Sequence, residues 1–268
     1  MIVIAIVAAL FVFLLVTSYL AYRKAFYVPK NSKENICAIP FGEQYECVKE
    51  HILSLIKEMD ALTYESISIT ASDGVKLYAR YYHVHDGAPL QIQFHGYRGA
   101  AFRDFCGGHK LAREAGHNIL LVDQRAHGKS GGNTITFGIK ERYDCLSWVN
   151  YAVERFGKET PIFLSGVSMG AATVLMASEL NLPDNVVGMI ADSPYSSPDE
   201  IIRKVCREDI SASWSSTDFA PLHKRKERLT LPVPCVTFVI MRSNTAFTKR
   251  ILQWLVIPQV VFFAESRY

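Results

Sequence analysis

Apolar and polar positions change texture along the chain, and each texture predicts a different element. Residues 1–22 read MIVIAIVAALFVFLLVTSYLAY, with no charged side chain before Arg23. As a helix rising 1.5 Å per residue, such a run can cross a hydrocarbon core of about 30 Å. Residues 1–23 are therefore expected to be a transmembrane anchor. No Lys or Arg precedes the run, as the basic start of a cleaved signal peptide would require. Tyr19, Tyr22 and Tyr27 stand where an interfacial aromatic belt would. Arg23, Lys24, Lys30 and Lys33 follow the run, which by the positive-inside rule makes a single-pass protein with its bulk in the cytoplasm.

Residues 24–63 read as a polar, proline-containing linker and then an amphipathic helix. In YECVKEHILSLIKEMDAL, Val48, Ile52, Leu55, Ile56 and Met59 recur at helical spacing. From Tyr64 the period changes to two: ESISITASDGVKLYARYYHV alternates around Asp73-Gly74, the signature of a hairpin. Short apolar runs and helical patterns then take turns. PLQIQFHG, HNILLVDQ, PIFLSG and VVGMIADS read as strands, while 103–115, 141–157 and 171–180 read as helices. The apolar side of the second helix is assigned to Tyr143, Leu146, Val149, Tyr151 and Val153, and its stop to Gly157. This alternation predicts an α/β fold, a mostly parallel sheet with helices on both faces, occupying residues 64–268.

Charge adds little: 29 basic against 26 acidic residues give a net +3, too mild to argue for nucleic acid. The densest charge run, HKRKER at 223–228, reads as a solvated face. Six scattered cysteines, Cys37, Cys47, Cys106, Cys145, Cys206 and Cys235, show no CxxC and read as free buried thiols. His83 and His85 in HVHDG lack the further clustered ligands a metal ion needs, so no metal site is expected.

One stretch carries chemistry. In PIFLSGVSMGAAT a strand reverses into a helix at Ser168, flanked by Gly166 and Gly170. A bend this sharp strains its apex residue and tolerates no bulk two positions before or after it. It lifts the serine hydroxyl above the sheet, beside the N–H of Met169 at a helix N-terminus. QFHGYRGA ends another strand with His95 and Gly96, and the N–H of Tyr97 would be a second oxyanion donor. VDQRAHGKSGG ends a third with Asp123 and Arg125, then Gly128, Gly131 and Gly132.

With HGYRG, VDQRAHGKSGG, GVSMGAAT and ADSPYSS in this order and spacing, the chain resembles the α/β-hydrolase family of serine hydrolases. The likeness runs from about 64 to 207. It is strongest to a membrane-anchored bacterial branch related to serine aminopeptidases and small esterases. The resemblance implies Ser168 as nucleophile, Tyr97 and Met169 as the oxyanion hole, and a small-molecule acyl substrate, without metal or cofactor. It makes His127 a structural residue of a loop bracing the site rim and has His95 orient the oxyanion loop. It puts Phe137 and Gly138 near the entrance and the region 195–231 in a substrate-selecting lid.

Residues 210–268 depart from that pattern. The family order is serine, acid, histidine. Yet His223 is the sole histidine after Ser168, no glycine follows Gly188, and the acidic residues from 210 onward are Asp218, Glu227 and Glu265. LPVPCVTFVIMRSNTAF begins as a strand, then shows Met241, Arg242, Ser243 and Asn244 where the resemblance puts a glycine and the acid. ILQWLVIPQVVFFA, broken by Pro258 and two glutamines, is a poor second span, and the chain is expected to stop short of a final strand, loop and helix. Three readings stay open. The C-terminal stretch is truncated or frame-altered; the site is rewired, with Asp192 as acid and His223 as base; or the protein is a catalytically impaired member that binds through its cleft.

Overall fold

The computed structural model describes residues 1–29, 46, 48–205, 237–242 and 260–265, the last two ranges as strand backbone. The first helix, α1 (Ile2–Ala25), is long and apolar enough to cross a membrane, with a mean hydropathy of 2.8 over its most apolar window. Its side chains are exposed except at the C-terminal end, where Ala25 is buried. There the chain joins the rest of the protein through a short β-bridge, Tyr27 to Thr134. Backbone bonds from Ile135 N–H to Phe26 O and from Val28 N–H to Asn133 O, at 2.9 and 2.8 Å, complete the seam. Two of the three tyrosines expected in an interfacial belt thus lie in this seam: Tyr27 by its backbone, and Tyr22 through a 3.2 Å hydroxyl contact with Thr134.

Helix α2 (Lys49–Asp60) buries Leu55, Ile56 and Met59 of the expected stripe and half-buries Ile52, while Val48, at its N-cap, is exposed. The hairpin is β1 (Glu65–Thr70) with β2 (Lys76–Tyr82), antiparallel, turning through Gly74 at φ 82°. Then come β3 (Leu90–Phe94), α3 (Ala101–Glu114), β4 (Asn118–Asp123), α4 (Glu141–Phe156), β5 (Ile162–Val167), α5 (Met169–Ala177), β6 (Val186–Asp192), β7 (Thr237–Arg242) and β8 (Val260–Glu265). They form one sheet ordered β1-β2-β4-β3-β5-β6-β7-β8. The central strands β4, β3, β5 and β6 are parallel, as expected, but the sheet as a whole is mixed: β2 runs antiparallel to β4, and β7 antiparallel to β6.

Burial on both faces explains why the central strands read as unbroken apolar runs. In β4, Leu120 and Val122 point into one core with Trp148, Val149 and Ala152 of α4 and Ala171 and Val174 of α5. Ile119 and Leu121 point into the other, against Leu55, Ile56 and Met59 of α2 and Phe102 and Phe105 of α3. Each face takes alternate residues of one strand, so both must be apolar.

Three expectations are corrected. The buried stripe of α4 is Cys145, Trp148, Val149 and Ala152, spaced i, i+3, i+4, i+7, while Tyr143 is exposed. A strand does occur near the C-terminus: β8, inside the stretch weighed as a poor second span, pairs parallel with β7. And β7 forms where expected but reversed. Its first residue, Thr237, pairs with Asp192 and its Met241 with Gly188, so the strand ends at the sheet edge opposite Ser168. The linker at 30–42, Cys37, Cys47, Cys206 and Cys235, the 223–228 charge run, and Ser243 and Asn244 lie outside the described residues. Of the expected lid, 195–205 is described, with a helical stretch over 198–205. Cys106 and Cys145 are free and buried, as expected.

Candidate active site

The turn between β5 and α5 has the strain its sequence demands. Ser168 lies at φ 52°, ψ −110°, a backbone region that non-glycine residues rarely occupy. A Cβ built on Gly166 would collide with the backbone of Gly170, and one on Gly170 with the carbonyl of Phe94 at the end of β3. Both glycines are therefore steric requirements of the bend. Ser168 is pinned from both sides: its N–H donates to Asp192 O at 2.8 Å, and its carbonyl accepts from Ala172 N–H at 3.0 Å. The serine is half-buried. Met169 opens α5, where its N–H has no acceptor within the helix.

The HGYRG loop faces this turn. A Cβ on Gly96 would come within 3.6 Å of Ser168 Cβ, which sets the loop directly against the serine. Asp104, in the first turn of α3, fixes the loop's height by accepting Gly96 N–H at 2.8 Å. Arg103 Nε holds the other oxygen of that carboxylate at 2.8 Å. Asp104 escaped the sequence reading; its only signal is an acidic residue at the start of the helix after HGYRG, where the helix dipole favours one.

Two histidines lie beneath the loop, and neither ring is available to take a proton from serine. His95 is fully buried. It accepts Gln124 N–H on Nε2 at 3.1 Å and donates from Nδ1 to Gly96 O at 2.9 Å. His127 accepts Arg98 N–H on Nε2 at 3.1 Å and donates from Nδ1 to Arg125 O at 2.9 Å. Burial keeps both neutral, lowering His95 and pulling His127 down to about 3. The two rings meet edge to face, with centroids 4.6 Å apart. Both residues thus fill the structural roles expected of them.

Below them Arg125 forms a two-pronged ion pair with Asp144, both contacts at 2.6 Å, and reaches Asp73 at 3.0 Å. Burial pushes Asp144 up to about 6 despite the pull of Arg125, which still leaves it ionised at neutral pH. Phe137 is fully buried, wedged between the ring of Tyr97 at 4.9 Å and that of Phe26 at 5.6 Å. It is packing beneath the loop, where the sequence reading put an entrance.

Of the weaker candidates, Asp192 sits beside Ser168 as the last residue of β6, half-buried, and its carboxylate accepts the Ser193 hydroxyl at 3.0 Å. His223 lies outside the described residues. The remaining histidines are elsewhere. His83, His85 and His117 gather where β4 begins, at the opposite edge of the sheet, near Asn118, which accepts His85 N–H at 3.2 Å. His51 is on α2, and His109 is buried against Tyr82 with centroids 4.5 Å apart. A cavity of about 210 Å³ opens between α2 and α3, lined by Leu55, Met59, Cys106 and His109, and no residue of the serine turn lines it.

Over residues 92–229 the chain matches the family described as serine aminopeptidase, S33. It is similar to the uncharacterized protein YqkD of Bacillus subtilis (strain 168), 34% identical over 90 residues, which is 34% of this chain and 30% of that protein. Among solved structures it is similar to the Pyrococcus furiosus esterase Pf2001, at 29% identity and a TM-score of 0.46, covering 52% of this chain and 54% of the esterase. It is also similar to Est1E from Butyrivibrio proteoclasticus, solved with ferulic acid bound, at 29% identity and a TM-score of 0.38, covering 42% and 46%. The matched stretch thus spans under a third of YqkD and about half of Pf2001 and of Est1E.

Proposed function

Since the chain belongs to the serine aminopeptidase, S33, family of α/β hydrolases, we propose that it hydrolyses a small ester, thioester or amide through a covalent acyl intermediate on Ser168. The observation that carries this reading is the strained backbone of Ser168, held by two glycines that admit no side chain. A fold retains such strain where the surrounding contacts enforce it, and it presents the hydroxyl at the mouth of a helix.

The proposed steps are those of acyl transfer. Ser168 Oγ attacks the substrate carbonyl as its proton passes to a base. On this reading the oxyanion that forms rests on the N–H groups of Met169 and Tyr97. The carbonyl's bond to the leaving group breaks, and the leaving group departs with that proton. Water then attacks the acyl-serine by the same route, releasing the acid and restoring Ser168. With both ring nitrogens of His95 and His127 engaged, the base we assign is His223, and the acid that orients it is Asp192, whose backbone already touches the serine. Helix α1 is assigned as a membrane anchor with the hydrolase portion on the cytoplasmic side. A membrane-impermeant maleimide should then label Glu154→Cys after lysis and leave it unlabelled in intact cells.

A second reading has its own support. The reversed β7 puts Met241 and Arg242, two of the residues that stand where the resemblance places a glycine and the acid, at the sheet edge opposite Ser168. On that reading the protein is an impaired hydrolase that binds ligands through its cleft. A fluorophosphonate probe on the full-length chain decides between them. Labelling that is lost in Ser168→Ala and in His223→Ala supports the triad as assigned. Labelling lost only in Ser168→Ala moves the base elsewhere. Folded wild-type protein that takes no label supports the impaired reading.

A further inference from the structure

The loop that carries the residue-97 amide is built around an arginine in a place that suits glycine. Gly96 to Gly99 make a tight turn, closed by Gly99 N–H on Gly96 O at 3.1 Å. Arg98 occupies its third position at φ 48°, where glycine is free of strain and a side chain is not. Something must hold it there, and the contacts run to the end of α1. Arg98 Nη2 donates to Lys24 O at 2.7 Å and to Tyr27 O at 3.1 Å, and Nε donates to the Tyr97 hydroxyl at 2.9 Å. That hydroxyl in turn donates to Ala25 O at 2.8 Å. These carbonyls belong to the last turn of α1 and the residues just past it, where a helix lacks internal donors and its dipole favours a cation. Phe137, between Tyr97 and Phe26, fills the space behind the clasp.

We propose that the end of α1 is a positioning part of the catalytic apparatus: Arg98 clasps it, and the clasp holds the residue-97 amide against Ser168. The anchor then does more than fix the protein to a surface, because a helix end that is pulled away or trimmed would release the turn that carries one oxyanion donor. Arg98 and the Tyr97 hydroxyl act through the backbone and touch no reacting atom. The consequence for catalysis rests on the proposed roles of Ser168 and the Tyr97 amide, whereas the clasp itself does not.

The test uses the full-length chain in lipid nanodiscs and reads two quantities, hydrogen exchange at the amides of residues 97 and 98 and the rate of fluorophosphonate labelling at Ser168. In Arg98→Ala, exchange should quicken and labelling should slow roughly tenfold to a hundredfold, as expected when a catalytic group is displaced by about an ångström. Tyr97→Phe keeps the ring and the amide and loses the contact to Ala25; it should show the same changes in smaller measure, which covers the case in which Arg98→Ala does not fold. Arg155→Ala, which removes an ion pair to Glu65 on the far edge strand, should leave both readings unchanged. Unchanged exchange and labelling in folded Arg98→Ala and Tyr97→Phe overturn the proposal. Faster exchange in a chain whose wild type takes no label sustains the clasp and sinks the nucleophile.

Discussion

The backbone N–H of Arg98 donates to Nε2 of His127 at 3.1 Å, and Nδ1 of the same ring donates to the carbonyl of Arg125 at 2.9 Å. The imidazole therefore ties the HGYRG loop to the loop after β4, with both nitrogens engaged.

A strut and a catalytic base fail differently when removed. His127→Ala leaves the Arg98 N–H without its partner, which should lower stability by about 1–3 kcal/mol in denaturant titrations. Labelling of Ser168 should slow without vanishing. Complete loss of labelling at unchanged stability would make His127 the base after all.

Buried neutral histidines set a pH dependence with a definite sign. His109 is held down to about 4, first by burial and then by Arg113. Above about pH 6.5 native and unfolded chains both carry it neutral. Below that the unfolded chain gains a proton that the native state refuses until about pH 4, so stability is lost as pH falls. For this residue the loss between pH 8 and pH 5 is about 2 kcal/mol. His109→Leu should flatten the pH dependence by that amount when unfolding curves at the two pH values are compared. An unaltered slope would contradict the burial argument.

Two glycine substitutions should move in opposite directions. Gly170→Ala drives a methyl into the Phe94 carbonyl and should cost about 1–3 kcal/mol or prevent folding. Gly107→Ala lies within α3 with open space around it, and should raise stability by about 0.5–1 kcal/mol through helix propensity. Thermal unfolding of the pair reads both.

The Arg125 network separates buried from exposed pairing. In Asp144→Ala an arginine with 6% side-chain exposure loses its main partner, at an expected cost of about 3–5 kcal/mol. Asp73→Ala removes a partner that is 36% exposed, and about 1 kcal/mol or less is expected. Equal effects in urea titrations would mean that Asp73 carries more of the charge balance than its exposure allows.

Much of this was legible along the chain. Period two around Asp73-Gly74 marked the hairpin, and the four apolar runs became β3 to β6. Gly166 and Gly170 marked the serine turn, because the demand for missing side chains is local and leaves its trace at the positions concerned. The stripe of α4 was misassigned because the helix is buried on one side by Cys145, Trp148, Val149 and Ala152 while aromatic Tyr143 faces outward; apolar character alone does not say which side is covered. Phe137 misled for a related reason: its burial comes from Tyr97 and Phe26, both distant in sequence.

Local pattern was enough to settle the elements up to β6, the doubly covered sheet centre and the bend at Ser168, since periodicity and steric exclusion act between residues a few positions apart. The direction of β7, the engagement of both nitrogens on His127, and the hold of Arg98 on the end of α1 came from the folded arrangement. Arg98 is 74 residues from Lys24 and 29 from His127, and its partners at α1 include main-chain carbonyls. Every residue carries such a carbonyl, so nothing in the amino-acid order marks which one will be met until packing brings the two segments together.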